Sequence, residues 1–543
     1  MPVKRYGVYL FYRPTAALRG EGLGRYLSAF LKAAQDRRDI RLVVACPSWM
    51  RAMLAALCEE EGVDQASFDI VAPDRPPLVL VLRDWYEARR KRPRRPGRLR
   101  RLRLWLRRWM ASASAPVERW LAGNRSVVLL VGFIVLMLPL AALLLLGWAV
   151  VRLLRTVVGR IAGWGGALVR RVRLPAVARR LKDLILRPSH DSAGLRFFHL
   201  MEQAEINHMH RLIRARKDVR AWYCPTAFWP HVNDLGVPRL ICVPDVVFVD
   251  FPGAFAMSNG SGGYETFRNI ERTIAGGDHF VTYSAYVKWN TLVDRYQVKP
   301  EAVSVIHHGT SRLDAAIAVS GRSAGPAVAD AFCRSFFMGA MAKSNDNRYA
   351  SFFAKGDIRF LFFATQFRPN KNIVTLLRAY EYLLKRRYRG LKLVLTGDVK
   401  TAPDVRDFIL EHNLENEILF LHRLTLPELA ACYRLADLAV NPSLSEGGFP
   451  FTFTEALSVG TPVVASDIPV TAEILGEQEF YADMTFDPYD WRAMADRIEW
   501  ALDNRATLLA HQHAFYETVM VKRTWGDMLD DHIAIMEQIA APQ

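Results

Sequence analysis

The sequence predicts an α/β protein built from two doubly wound, Rossmann-like parallel sheets. Three observations carry this expectation. Short apolar strands alternate with helical periodicity over residues 5–71 and again from residue 195 onward, the order that yields parallel strands joined by crossover helices. A second run of the same kind opens at Ile358-Arg359-Phe360-Leu361-Phe362-Phe363. Before it lies an Ala-, Ser- and Gly-rich stretch, 315–356, which reads as an interdomain linker with an insertion. With 543 residues the chain is long enough for two or three domains with cores of their own.

In the first domain, residues 5–12 alternate as a strand. Arg19-Gly20-Glu21-Gly22-Leu23-Gly24-Arg25-Tyr26 then leads into a helix over Leu23 to Gln35. Ile40 to Ala45 reads as a strand, Trp49 to Glu60 as a helix and Phe68 to Val71 as a strand. The glycine loop after the first strand lies where doubly wound sheets bind ligands, and a plain tight turn explains it equally well. The pattern stops near Trp85 and resumes near Leu195 with a helix to Arg214. Strands at Val219–Cys224, Arg239–Val243, His279–Ser284 and from Val303 follow, with helices over Tyr264–Ala275 and Tyr286–Tyr296. The first domain is thus expected at 1–85 and 195–314, split by an insert at 86–194. The second is expected at 357–510, with strands near Leu391–Asp398, Ile418–Leu421 and Leu438–Asn441 and a helix over Leu426–Ala436. C-terminal helices at 511–543 follow.

The insert carries the charge. Net charge is +17, yet residues 89–187 alone hold 24 Lys+Arg against Glu118 and Asp183, which leaves the rest of the chain at −5. Val127 to Val151 is a run of 25 uncharged residues divided by Pro139. Each half would span about 18 Å as a helix, short of a hydrocarbon core about 30 Å thick. The two parts of one sheet must lie on one side of any membrane. A re-entrant hairpin meets both conditions. Arg98 to Arg108 interleaves arginine with Leu and Trp in the manner of an interfacial helix. The expected partner of the insert is anionic membrane lipid at the cytoplasmic face of the inner membrane, and not nucleic acid. Six scattered cysteines without a C-x-x-C suggest neither a zinc site nor a disulfide framework.

The most informative stretch is Asn441 to Ser466, NPSLSEGGFPFTFTEALSVGTPVVAS. A loop with Glu446, Gly447, Gly448 and Phe449 feeds a short helix over Thr452 to Val459, closed by Gly460, and a buried strand follows. Unpaired first-turn N–H groups and the helix dipole favour an anion at such a place. Glu455, one turn inside, would repel a phosphate but suits a ribose diol, which offers two O–H donors. Glu446 in the loop can reach sugar hydroxyls, or be simply solvated.

This stretch resembles the donor-site signature of the family-four retaining glycosyltransferases of GT-B fold: two glutamates separated by seven residues, then A-x-x-x-G-x-P-V-V-A-S. Here eight residues separate Glu446 from Glu455, and the tail matches without a gap. The resemblance implies two domains facing across a cleft, with a nucleotide-diphosphate sugar on the second domain and the acceptor on the first; because the insert places the cleft at a membrane, the expected acceptor is lipid-linked or a glycan. Thr365 to Asn372 follows the first strand of the second domain. Some lipid-linked mannosyltransferases of the family share its Q-F-R-P-x-K, which makes mannose, and hence GDP-mannose, the first candidate donor.

Arg368 and Lys371 are thereby assigned to the diphosphate, whose charge grows in the transition state. Gly448, Phe449, Thr452 and Glu455 are assigned to the donor, with Gly24 of the G-x-G-R-Y segment opposite. Glu446 and Asp245 are the candidate catalytic residues. Asp245 aligns with the aspartate of the family's H-D segment, with Pro244 in place of the histidine. It either orients the acceptor hydroxyl or caps a helix, and the sequence leaves both open. No D-x-D occurs, so neither a metal nor a cofactor is expected. The rival readings are a GT-B sugar-nucleotide epimerase and an inactive nucleotide-sugar-binding scaffold.

Overall fold

The computed structural model describes residues 3–14, 22–81 except 79, 85, 193–319 except 260, 325–344 and 359–541. The expectations placed on residues 86–192, the re-entrant hairpin and its interfacial arginines among them, lie outside the described residues. The chain divides into two compact units, Met1–Arg75 with Glu205–Gln543, and Pro76–Ala204. Both sheets belong to the first unit.

The first sheet has seven strands in the order β3-β2-β1-β4-β5-β6-β7. They run Lys4–Tyr9 (β1), Ile40–Ala45 (β2), Asp69–Val71 (β3), Val219–Cys224 (β4), Arg239–Cys242 (β5), Phe280–Thr282 (β6) and Val303–Val305 (β7). Every recorded pairing is parallel. The sequence order reverses beside β1, which pairs β2 on one side and β4 on the other, so β1 is an interior strand at the point where the order switches. Its register to β4 shifts at Gly7, where a Cβ would lie 2.1 Å from the Trp222 ring. Only a glycine lets that indole, 1% exposed, close over the strand.

The second sheet has six parallel strands in the order β10-β9-β8-β11-β12-β13: Phe360–Phe363 (β8), Lys392–Leu395 (β9), Ile418–Phe420 (β10), Leu438–Asn441 (β11), Val463–Ser466 (β12) and Thr485–Phe486 (β13). β8, β11 and β12 are buried at every position, as continuous apolar runs in doubly covered parallel sheets are. The expected α/β class and its two Rossmann-like domains are what the chain forms.

Two details differ from expectation. The segment 315–356 is more than a connection, because Pro326–Lys343 is a helix. Cys333, Phe337, Ala340 and Met341 of this helix belong to the core of the second domain. Their spacing of four, then three, then one is the stripe of an amphipathic helix, hidden among small residues that read as a linker. Val287–Arg295 is a π-helical segment, wound wider than the α-helix expected there.

The chain ends by returning. The helix Arg505–Thr518 sends Leu508, Phe515 and Tyr516 into the second core, whereas Trp525–Ala540 sends Met528, Leu529 and Met536 into the first. Thr524 caps the latter with a reciprocal Asp527 bond. Gln512, fully buried, accepts from Val463 N at 3.0 Å and donates to Val463 O at 2.7 Å. It completes the backbone of the strand that follows the signature helix. Gln512→Leu leaves both backbone groups unpaired in the core and should cost about 2–4 kcal/mol, read as a lowered denaturant midpoint with an unchanged slope.

Candidate active site

Two loops of the second domain build the site. After β8 the backbone passes through Arg368 and a tight turn, Pro369–Lys371, and leaves through Asn372 at φ 56°. Asn370 stitches this turn to the signature loop: its side-chain amide donates to Ser445 O at 3.0 Å and its backbone carbonyl accepts from Leu444 N at 2.8 Å. Lys371 Nζ thereby lies 2.5 Å from Glu446 Oε1. Arg368 is exposed and donates to Gln366 Oε1 at 3.0 Å. The turn brings Lys371 and Glu446 together and leaves the guanidinium of Arg368 turned to solvent.

The first domain contributes Asp245, just beyond β5. Burial pushes its carboxyl above the usual carboxylate range; Arg368 and Lys371 oppose the shift, and Glu446 and Asp250 add to it. These causes place Asp245 in the same electrostatic neighbourhood as Arg368, Lys371 and Glu446. The capping alternative is not realised. The next helical turn, Val247–Asp250, has Val246 at its cap and no side-chain cap bond.

Two glycines let the domains meet here. A Cβ on Gly447 would lie 1.7 Å from the Pro244 carbonyl oxygen and 2.9 Å from Asp245 Cβ. A Cβ on Gly448 would lie 2.7 Å from Tyr283 Cβ. The Gly447 carbonyl accepts from Ser284 Oγ at 2.9 Å. Below them His308 packs 3.9 Å from the Tyr283 ring and 4.8 Å from Phe451, centroid to centroid, with Tyr26 and Trp525 at its edges. Burial holds His308 neutral, its pKa lowered to about 3. It is a packing residue.

The signature helix runs Phe451–Ser458, and Gly460 follows it at φ 81°, the left-handed end expected of it. Thr452 Oγ1 accepts from Asn441 Nδ2 at 3.0 Å, and Phe449 meets Phe453 edge-on at 5.2 Å. Glu455 is 1% exposed and paired with Arg25 of the first domain, one residue beyond the buried Gly24. The candidate site residues thus form two groups. Asp245, Lys371 and Glu446, with Arg368 near, form one, and Gly24, Arg25 and Glu455 the other. Sequence reasoning quoted G-x-G-R-Y but took only its glycine. The arginine beside it was the signal for a partner to a buried acid. Glu473, outside both groups, is a tie between the two domains that the sequence did not single out. It accepts from Ala285 N at 2.9 Å and Tyr286 N at 3.2 Å, a bond to an opening helical turn that a carboxylate in the second domain could make only once the fold was known.

Two parallel-sheet domains meeting over a glycine-rich loop and a lysine–glutamate pair define the class: this is the GT-B fold. Comparison with known proteins agrees. Residues 346–518 match the model of the family described as Glycosyl transferases group 1. The O-antigen chain mannosyltransferase RfbU of Salmonella typhimurium is 31% identical over 107 residues, 20% of this chain and 30% of that protein. The chain therefore spans under a third of the length of that relative. Among solved structures, a glycosyltransferase from Rickettsia africae superposes over 100% of both chains with a TM-score of 0.52 at 11% identity. Anabaena HepE, solved in complex with UDP, superposes over 98% of this chain and 99% of that one, with a TM-score of 0.51 at 11% identity. Likeness at this identity is likeness of fold.

Gly447→Ala tests the meeting of the domains. The added methyl cannot coexist with the Pro244 carbonyl, so the loop must withdraw. Small-angle scattering should show a larger radius of gyration than the native protein, and thermal unfolding of the second domain should change little.

Proposed function

We propose that this protein is a retaining, metal-independent glycosyltransferase. It moves a sugar, with mannose the first candidate, from a nucleoside-diphosphate donor to a lipid-linked or glycan acceptor in cell-surface polysaccharide synthesis. The observation that carries the reading is the convergence of Lys371, Glu446 and Asp245, two from the second domain and one from the first. A diphosphate leaving group needs cations in place before its charge develops, and Lys371 and Arg368 supply them. Glu446, released from Lys371 by the incoming diphosphate, is placed to accept from the sugar hydroxyls. The carboxyl of Asp245, on the acceptor side and raised above the usual carboxylate range by burial, suits a group that exchanges a proton with the acceptor hydroxyl. The sugar passes through an oxocarbenium-like state, as in glycoside transfer generally. The names of the relatives, an O-antigen chain mannosyltransferase among them, support sugar transfer to a surface glycan.

The test uses purified protein, native lipid extract and a panel of nucleotide sugars, with EDTA present throughout. Sugar should pass to lipid. Lys371→Ala should lower the rate about 100-fold or more with the circular dichroism spectrum unchanged, the scale on which single charge-stabilising groups act. Full activity in Lys371→Ala would remove the donor-site assignment. Activity lost to EDTA and restored by Mn²⁺ or Mg²⁺ would remove metal independence, and epimerised free nucleotide sugar would favour the epimerase.

The membrane part of the proposal rests on composition. The arginine-flanked apolar run of 127–151 would hold the cleft at the cytoplasmic face of the inner membrane, entering and leaving on one side. Deleting residues 86–194 and joining the ends with a short flexible linker should leave a soluble protein that binds nucleotide and transfers poorly to a membrane acceptor. Single cysteines at positions 125 and 152, in a cysteine-free background, should react with an impermeant thiol reagent only after lysis. Reaction of one of them from outside the inner membrane would establish a true span.

A further inference from the structure

Glu455 sits one turn inside the signature helix, yet much of what holds its carboxylate comes from the other domain. Oε1 accepts from Arg25 Nη2, in the first turn of the helix Gly22–Gln35, and lies 3.4 Å from Ser311 Oγ, just beyond β7. From its own domain, Tyr433 faces it, a phenol pushed far above its usual range by burial with the charge of Glu455 adding to the shift. Arg25 in turn is raised chiefly by Glu455, with Tyr433 and Glu61 as its further neighbours. The side chain of Glu455 is 2% exposed and that of Arg25 30%. A carboxylate so removed from water is unfavourable unless a cation and hydrogen-bond donors meet it. Here the acid belongs to the second domain and the cation to the first. The direction in which the Glu455 carboxylate is held is therefore set only while the two domains are together.

We propose that Arg25 is a positioning residue: it sets the Glu455 carboxylate for the ribose of the donor and makes that setting conditional on domain closure. This rests on the glycosyltransferase reading above and on the assignment of Glu455 to the donor ribose that the sequence suggests. It deepens that reading by assigning to the first domain part of the recognition of a nucleotide otherwise held by the second. A guanidinium suits the task, because its planar fork fixes direction as well as charge, whereas an ammonium fixes charge alone.

The test uses the full chain and five variants: Arg25→Met, Arg25→Lys, Glu455→Gln, the Arg25→Met/Glu455→Gln double variant and Glu473→Gln. Glu473 is the control, because it ties the same two domains through Ala285 and Tyr286 without touching Glu455. UDP and GDP binding are read by calorimetry, donor KM and kcat by transfer to native lipid extract, and Tm by differential scanning. Arg25→Met should raise donor KM on the order of 30-fold, and the double variant should be no worse than Glu455→Gln alone, because removing both ends of one interaction is not additive. Arg25→Lys should fall between, with a KM several-fold above native and a Tm close to it. Glu473→Gln should lower Tm and leave donor KM within about threefold.

If Arg25→Met behaves like Glu473→Gln, or if its effect multiplies with that of Glu455→Gln, the inference is wrong. Should Arg25→Met not fold, an unchanged donor KM in Arg25→Lys would overturn it equally. A native protein that binds neither UDP nor GDP sinks the functional reading and this inference with it. A native protein that binds and transfers while Arg25→Met leaves donor KM unchanged sinks this inference alone.

Discussion

A carboxylate taken out of water must be met by a cation, and the site is arranged around that constraint. The signature supplies two glutamates, and each has found one. Glu446 meets Lys371 within the second domain, and Glu455 meets Arg25 from the first. The difference in burial decides what each pair can do. The Lys371 and Glu446 side chains are 21% and 17% exposed, so water or a competing anion can reach and part them. Glu455 is closed off at 2%, and parting it from Arg25 without replacement leaves a bare buried charge, at a cost of about 3–5 kcal/mol. One pair is suited to exchange partners during a reaction and the other to hold a geometry.

Backbone packing makes the second pair possible. Arg25 reaches Glu455 because the signature loop can lie directly on the first domain. It does so because residues 447 and 448 have no side chains to hold it away. The aromatic stack around His308 then fills the space beneath the loop with rings from both domains: Tyr26 and Tyr283 from one, Phe451 from the other, and Trp525 from the returning helix. A neutral histidine fits among them where a charged one would not, and burial holds it neutral. Small residues in the loop, flat residues beneath it and paired charges beside it are thus a single arrangement.

What the sequence made legible follows from how local each signal is. Strands β8, β11 and β12 were readable because a doubly covered parallel strand is apolar at every position, a pattern contained in four residues. The end of the signature helix was readable because Gly460 must take a positive φ there. The helix Pro326–Lys343 was not, because its buried stripe is made largely of alanine, cysteine and methionine, which composition alone does not separate from a linker. Lys371 and Glu446 were each singled out, but their contact, across 75 residues, depends on Asn370 stitching two loops together. Arg25 lay in a quoted motif and went unassigned, since its partner is 430 residues away, on a helix of the other domain. Pairings across domains leave no periodicity in a sequence.

The extra residue in the signature has a definite place in the fold. An extra residue separates Glu446 from Glu455, and either glutamate could have been the one displaced. From Glu455 onward the chain is helix, left-handed turn and buried strand, with Thr461 N bonded to Ala456 O at 3.0 Å and Val463 to Ala439 in register on β11. No residue can be inserted there without moving a strand in the sheet. Upstream, Glu446 is fixed from behind by the Asn370 bonds to Leu444 and Ser445 and by Lys371. The slack must therefore fall between Gly447 and the helix start at Phe451, where Gly448, Phe449 and Pro450 form neither helix nor strand. The added residue lengthens the part of the loop that arches over the helix N-terminus and leaves both carboxylates where their cations require them.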